Sequence, residues 1–395
     1  LAPGSPAPVS TAGVLALTAV VWPLSLLGLL ARATGLDATR ASEMDRVRRR
    51  QRACAVAAVL ALSAAVVGFP LLPMTALAVW PYALSVAGLP GVLVLYDQLR
   101  QETASWRLRL TLVLLTLAAA GGVVAAHGTG LFNLAVLSPP FLVNLLVSRW
   151  RRCAARRGGR ALLVAGAVAS VLVLVVGAWV MRASLASVLG YQRPAGGVGG
   201  IVATLGQALI DLPMYGAVPG ASVPVGIVFG GLTLGAAWSA RAQRDQRPWL
   251  VMWLLSLLLV VLVGGPQWAG RQLGAPWYLQ KARILPLVIL PALVLMVQAG
   301  AGRPGRRLWG LLRRLASRVG GGRPQRAAAA MLAALVLLPV AARVPLERNL
   351  VASVYDPPRI KYGTLLNEDA LAPIATSRSV LPQDAVVLGA PWRGA

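Results

Sequence analysis

Long apolar runs and arginine-rich gaps alternate along this chain. The apolar runs are about 16 to 25 residues long, and a helix needs roughly 20 residues to cross a bilayer core. Ten such runs occur, near 11–32, 53–73, 78–96, 110–126, 131–148, 161–181, 224–240, 249–264, 284–300 and 327–343. The gaps 32–52, 97–109, 149–160, 241–248 and 301–326 hold 27 of the 38 basic residues, and each is an alternate gap. Lys and Arg stay on the cytoplasmic side during insertion. The pattern therefore predicts an all-α polytopic membrane protein of about ten spans in the plasma (inner) membrane, with both ends of the chain outside.

Composition strengthens this reading. The chain is 57% hydrophobic, 13% charged and has a mean hydropathy of +0.70. Soluble domains carry about 25% charged residues. A net charge of +26 would suggest nucleic acid in a soluble protein. Here the arginines are divided among five loops and no base-reading motif accompanies them. Topology and anionic lipid account for them better, and no nucleic-acid partner is expected. Cys54 opens the second run and Cys153 lies in a basic loop, so neither suggests a disulfide. With one histidine and no paired-cysteine motif, no zinc site is expected.

The pattern defines a membrane domain over 1–343 and a second region over 344–395. Asn367-Glu368-Asp369 reads as a helix start, and Ala385–Gly389 reads as a buried strand. A lone strand has no pairing partner, so an external α/β domain is expected to begin near 344 and to be cut off. The opening Leu1–Gly13, rich in Pro, Gly and Ser, carries no charged leader. It reads as the middle of a longer chain, with further spans expected upstream.

Two gaps stand out. Segment 301–326 places Leu308, Leu311, Leu312, Leu315 and Val319 at helical spacing among Arg306, Arg313, Arg314 and Arg318. This predicts a basic amphipathic helix on the inner leaflet. Segment 182–223 contains IVATLGQALIDL, the length of a short helix along the opposite surface. Pro139-Pro140, Trp80-Pro81 and Gly68-Phe69-Pro70 interrupt runs, and the region 69–96 could pair or re-enter.

Candidate chemistry is sparse, with only twelve acids in the chain. Asp211 is the only acid in the external loop 182–223; it could act as a base or help bind a divalent cation, or simply cap or face solvent. His127 ends the fourth run and could meet a phosphate or sugar hydroxyl. Trp277-Tyr278-Leu279-Gln280-Lys281-Ala282-Arg283 places two cations and two aromatics at the outer start of the ninth run. Arg recognises phosphate in a bidentate manner. Arg283, Lys281, Trp277 and Tyr278 are thus candidates for a lipid-linked phosphate or a lipid headgroup.

Pro276-Trp277-Tyr278 followed by Arg283, the ending Leu381–Gly394 and the His127-Gly128 pair resemble an uncharacterised family of actinobacterial polytopic membrane proteins. The architecture is similar to the GT-C membrane glycosyltransferases. That resemblance implies a polyprenyl-phosphate sugar donor and a catalytic acid in the first external loop. Gln280-Lys281 stands where an acid would be expected. Three readings follow: a glycosyltransferase-like protein of the cell envelope, a transporter or flippase of an envelope precursor with Asn133 and Asn144 lining its path, and a non-catalytic scaffold.

Overall fold

The computed structural model of the chain describes residues 6–36, 46–75, 77, 79–101, 105–153, 182–213, 220, 222–318, 324–355 and 376, with isolated positions between 161 and 179. Every regular element among the described residues is helical. Seven of the ten expected runs form single helices long and apolar enough to cross a bilayer. They are α1 (Pro6–Thr34), α3 (Trp80–Gln101), α4 (Trp106–Ala126), α9 (Ser222–Ala240), α10 (Arg247–Gly264), α11 (Lys281–Ala301) and α13 (Pro324–Tyr355). The second run is a bent pair. Helix α2 (Arg46–Ser63) breaks and continues, at 47° to its first part, through Val67–Met74. It is a broken span or a re-entrant turn, as the interruption at Gly68-Phe69-Pro70 suggested.

The fifth run is divided at Ser138 into α5 (Thr129–Leu137) and α6 (Pro139–Cys153). Its Pro139-Pro140 pair supplies no amide hydrogens, which favours a break at that point. The sixth run, 161–181, lies largely outside the described residues. Between it and α9 come α7 (Arg182–Leu189) and α8 (Gly199–Leu209), the second being the short helix expected in that loop. Helix α12 (Arg303–Arg318) is the expected basic amphipathic helix.

Helix α11 is the axis of the bundle. Its most apolar window is 83% buried, against 11% for that of α13 at the periphery. From Ile284 to Val297 its sequence, ILPLVILPALVLMV, is apolar on all sides, which suits a helix enclosed by others rather than by lipid. Helices α1, α2, α9, α10 and the Val67 turn all pack on it. By contrast Leu114, Leu117, Leu172 and Trp238 expose more than half of their surface, as side chains facing lipid tails would.

The two ends of the bundle differ in chemistry. At one end Arg32 pairs with Asp97 at 2.7 Å, and the Gln51 amide donates to the carbonyls of Gly300, Ala301 and Gly302. This gathers three of the arginine-rich gaps. At the other end lie Tyr82, His127, the 265–283 segment and α8.

One boundary moves. The tenth run was expected to end at 343, where a domain of another kind would start. Helix α13 instead continues without interruption to Tyr355. Arg343 does not end the apolar stretch; it is buried inside it, with 1% of its surface exposed. Apart from Thr376, the remainder of the expected α/β region lies outside the described residues.

Candidate functional site

Chain geometry before α11 places the candidate residues. A tight helical stretch, Ala269–Trp277, leads into Tyr278 and Leu279, both left-handed at φ 56° and 50°. Two consecutive non-glycine residues in that region store about 1–3 kcal/mol each, and such strain concentrates at functional sites. The bend is held by Tyr278 N–H donating to Ala275 at 2.7 Å and Gln280 N–H donating to Trp277 at 3.0 Å.

The bend delivers Trp277 inward and Tyr278 outward. Trp277, 3% exposed, donates its indole N–H to Asn133 Oδ1 at 2.8 Å. Phe132 meets the same indole edge-on at 6.2 Å. Thr129 Oγ1 donates to the Pro276 carbonyl at 3.1 Å, which ties the start of α5 to the bend. Tyr278 is 40% exposed and takes an edge contact from Tyr191 at 5.4 Å.

Arg283 sits one turn into α11 and is 7% exposed. Its guanidinium carbon lies 4.5 Å from the Tyr278 ring centroid, and its Nε donates to Gln280 Oε1 at 2.7 Å. Gln280, which stands where the resemblance implied an acid, thus orients the arginine without neutralising it. The Tyr82 hydroxyl donates to the Arg283 main-chain carbonyl. The ring of Tyr82 in turn packs edge-on against His127 at 5.4 Å.

His127 links α4 to α5, and its Nδ1 accepts the Thr129 N–H at 3.2 Å. Burial, and then the charge of Arg283, lower its pKa from the usual value. It is therefore a neutral imidazole at pH 7. With Nδ1 engaged as an acceptor, its proton resides on Nε2, which makes it a hydrogen-bond donor. The turn is close-packed: a Cβ on Gly130 would meet the Val123 carbonyl and the Ser85 hydroxyl.

Four of the six residues expected from the sequence, Arg283, Trp277, Tyr278 and His127, thus belong to one cluster. Lys281 and Asp211 do not. Residues two apart on a helix point about 200° apart. Lys281 turns toward α8, where its Nζ meets Thr204 Oγ1 at 3.2 Å and Gln207 Oε1 at 3.4 Å.

Asp211 lies just beyond α8 and is 1% exposed, in left-handed backbone at φ 48°. It is not a loop carboxylate open to solvent. Its two oxygens accept the Val67 N–H at 2.7 Å and the Gly68 N–H at 2.9 Å. Arg343 approaches one of them at 3.8 Å and donates to the Asp211 main-chain oxygen at 2.8 Å. Burial pushes the Asp211 pKa up to about 6, against the opposing pull of Arg343 and the two amides. The carboxylate joins the Val67 turn, the α8–α9 connection and α13. Among the described residues, no group of three or more His, Cys, Asp or Glu comes together in a way that could hold a metal ion.

Tyr82 and Tyr191 complete the cluster and were not singled out from the sequence, whereas Gln280 was noted there only as standing where an acid was expected. The only signal for Tyr82 was its place after Trp80-Pro81 at a span start. Asn133, the candidate path-lining residue of the transport reading, is buried and accepts the Trp277 indole N–H. Asn144 offers no side-chain observation, since its side chain lies outside the described positions.

What the cluster can do is bind an anion beneath an aromatic rim. It offers a nearly buried guanidinium, a neutral imidazole donor and an exposed tyrosine ring at one end of the bundle. The model of a family of unknown function, DUF6541, matches residues 2–395. No curated protein and no solved structure matches the chain.

Proposed function

We propose that this chain, which belongs to the DUF6541 family, is an integral membrane protein that binds a lipid-linked phosphate at the Arg283 end of its bundle. The convergence of Arg283, Tyr278, Trp277 and His127 carries the reading. These residues come from two separate parts of the chain, the Trp277–Arg283 segment and the α4–α5 junction, and the phosphate chemistry suits Arg283 and the His127 Nε2–H. The Tyr278 ring, 40% exposed above the guanidinium, suits a sugar face or a headgroup boundary. By the charge pattern this end faces outward.

In this reading the protein is a GT-C-like glycosyltransferase of the cell envelope that takes a polyprenyl-phosphate sugar as donor. Asp211 contributes by position. It holds the Val67–Gly68 turn, which presses against Leu285 and Ile289 of α11 just below Arg283. The test uses the protein in nanodiscs, with a polyprenyl-phosphate sugar added and both binding and sugar transfer measured. Arg283→Gln is expected to weaken binding by about tenfold or more, as loss of a charged hydrogen-bonding group does. Unchanged binding in a folded Arg283→Gln protein would remove the phosphate site.

A second reading, transport or flipping of an envelope precursor, draws on Arg343 and Glu347, two charged residues placed within a span. Ionisable groups at membrane depth commonly mark a path. Movement of the lipid-linked sugar across proteoliposomes without covalent change would favour it.

A further inference from the structure

Helix α12 presents three faces. Leu312 and Ala316 are buried against Ala328 of α13, with Trp309, Met331 and Leu332 packed around them. Leu308, Leu311 and Leu315 are 40% exposed or more. The third face is cationic. Arg303, Arg306, Arg307 and Arg314 fall on one side of the helix at about 100° per residue and are all exposed. Together with Gly310 and Leu311 they line a depression of about 420 Å³. Gly310 has nothing near its Cβ position, so the floor of the depression lies open between the arginines.

We infer that this depression is a binding site for the phosphate headgroup of an anionic phospholipid. Three observations converge on a lipid rather than a soluble anion. Exposed leucines border the arginines on the same helix, so a headgroup ligand would bring acyl chains to a surface already suited to them. The other side of α12 is anchored on a membrane-spanning helix, which fixes its depth at the bilayer boundary. Among the described residues, no ion pair is recorded for the four guanidiniums, whereas Arg32 and Arg343 each pair with an acid. Arginine offers bidentate donors to phosphate oxygens, and each basic residue near an anionic surface strengthens attachment.

This site stands apart from the Arg283 cluster. The 21 residues of α11 separate the two, about 30 Å at 1.5 Å per residue. One leaflet would thus present the arginine depression and the other the aromatic–arginine cluster.

The test is lipid retention on the whole protein by native mass spectrometry, after exchange in nanodiscs containing phosphatidylglycerol or phosphatidylcholine. Wild type is expected to retain phosphatidylglycerol selectively. The triple substitution Arg306→Gln, Arg307→Gln, Arg314→Gln is expected to reduce that retention by about a hundredfold. Arg48→Gln with Arg49→Gln, on the exposed basic start of α2, is expected to leave it within about twofold. A second measurement needs no variant. Phosphatidylglycerol is expected to slow amide exchange across 303–318 and not across 46–52, while inorganic phosphate is expected to have no such effect. Equal retention of both lipids by wild type, retention unchanged in the triple variant, or slowing by inorganic phosphate alone would each overturn the assignment.

Discussion

Arg343 of α13 donates to the main-chain oxygen of Asp211, 132 residues earlier in the chain, at 2.8 Å. Both side chains are 1% exposed. The same guanidinium reaches the Ile210 carbonyl at 3.3 Å, and a Cβ on Gly226 of α9 would meet that carbonyl and the Arg343 Nη2. One side chain thereby holds the peripheral α13 against the α8–α9 connection. Arg343→Met keeps the length but leaves two carbonyls and a buried carboxylate short of a donor. Removing one partner of a buried pair costs about 3–5 kcal/mol. A large fall in thermal midpoint in detergent is expected, together with proteolysis near α13. An unchanged midpoint would show that α13 is held by its apolar contacts alone.

The charge state of Asp211 gives a pH dependence with a definite sign. Its pKa is about 6 in the fold and 3.8 as the ordinary value. Between those two values the folded protein holds a proton that the unfolded chain has lost. The contribution is thus fully present below pH 4, falls as pH rises through 6, and is flat above. Roughly two pKa units amount to about 3 kcal/mol at most. Asp211→Asn cannot titrate. The midpoint of wild type relative to Asp211→Asn should therefore decline from pH 4 to pH 6.5; a constant difference would mean that the carboxylate is not desolvated.

Gly68 is required for a steric reason. A Cβ there would run into Ile289 and Leu285 of α11, and its N–H donates to Asp211. Gly68→Ala should cost about 1–3 kcal/mol, the usual cost of an overpacked core. Gly121, with nothing near its Cβ position, is the matched control. Gly121→Ala should be neutral or slightly stabilising, because alanine is the better helix former. Equal effects of the two substitutions on the midpoint would disprove the close approach of the turn to α11.

These relationships divide what the sequence could reveal from what it could not. Apolar run length alone located seven spans, because a bilayer imposes one length on every crossing helix. The spacing of Leu308, Leu312 and Leu315 among arginines likewise located α12. The segment Trp277–Arg283 was visible because cations and aromatics together are unusual at a span start. The divergence of Lys281 from Arg283 follows from helical geometry and was legible in principle. Arg343 was not, since a buried arginine and a loop arginine look alike until the partner residue is placed. Tyr82 was hidden for the same reason: its acceptor is a main-chain oxygen 201 residues away, and no side-chain pattern encodes that.

Trp277 offers the final test, one that separates the architecture of the cluster from its chemistry. Its indole N–H donates to Asn133 Oδ1 at 2.8 Å in a fully buried setting. Trp277→Phe removes the donor and leaves an amide oxygen unsatisfied, a cost of about 1–3 kcal/mol. Tyr278→Ala removes the exposed ring over Arg283 and takes nothing from the core. If the cluster binds a phosphate beneath an aromatic rim, Trp277→Phe should lower the thermal midpoint while a refolded fraction still binds. Tyr278→Ala should instead leave the midpoint nearly unchanged and weaken binding of a lipid-linked phosphate by about threefold to tenfold, the range of a partly exposed cation–π contact. Loss of stability without loss of binding in Tyr278→Ala would assign that ring to holding the strained bend at Tyr278–Leu279 rather than to contacting a ligand.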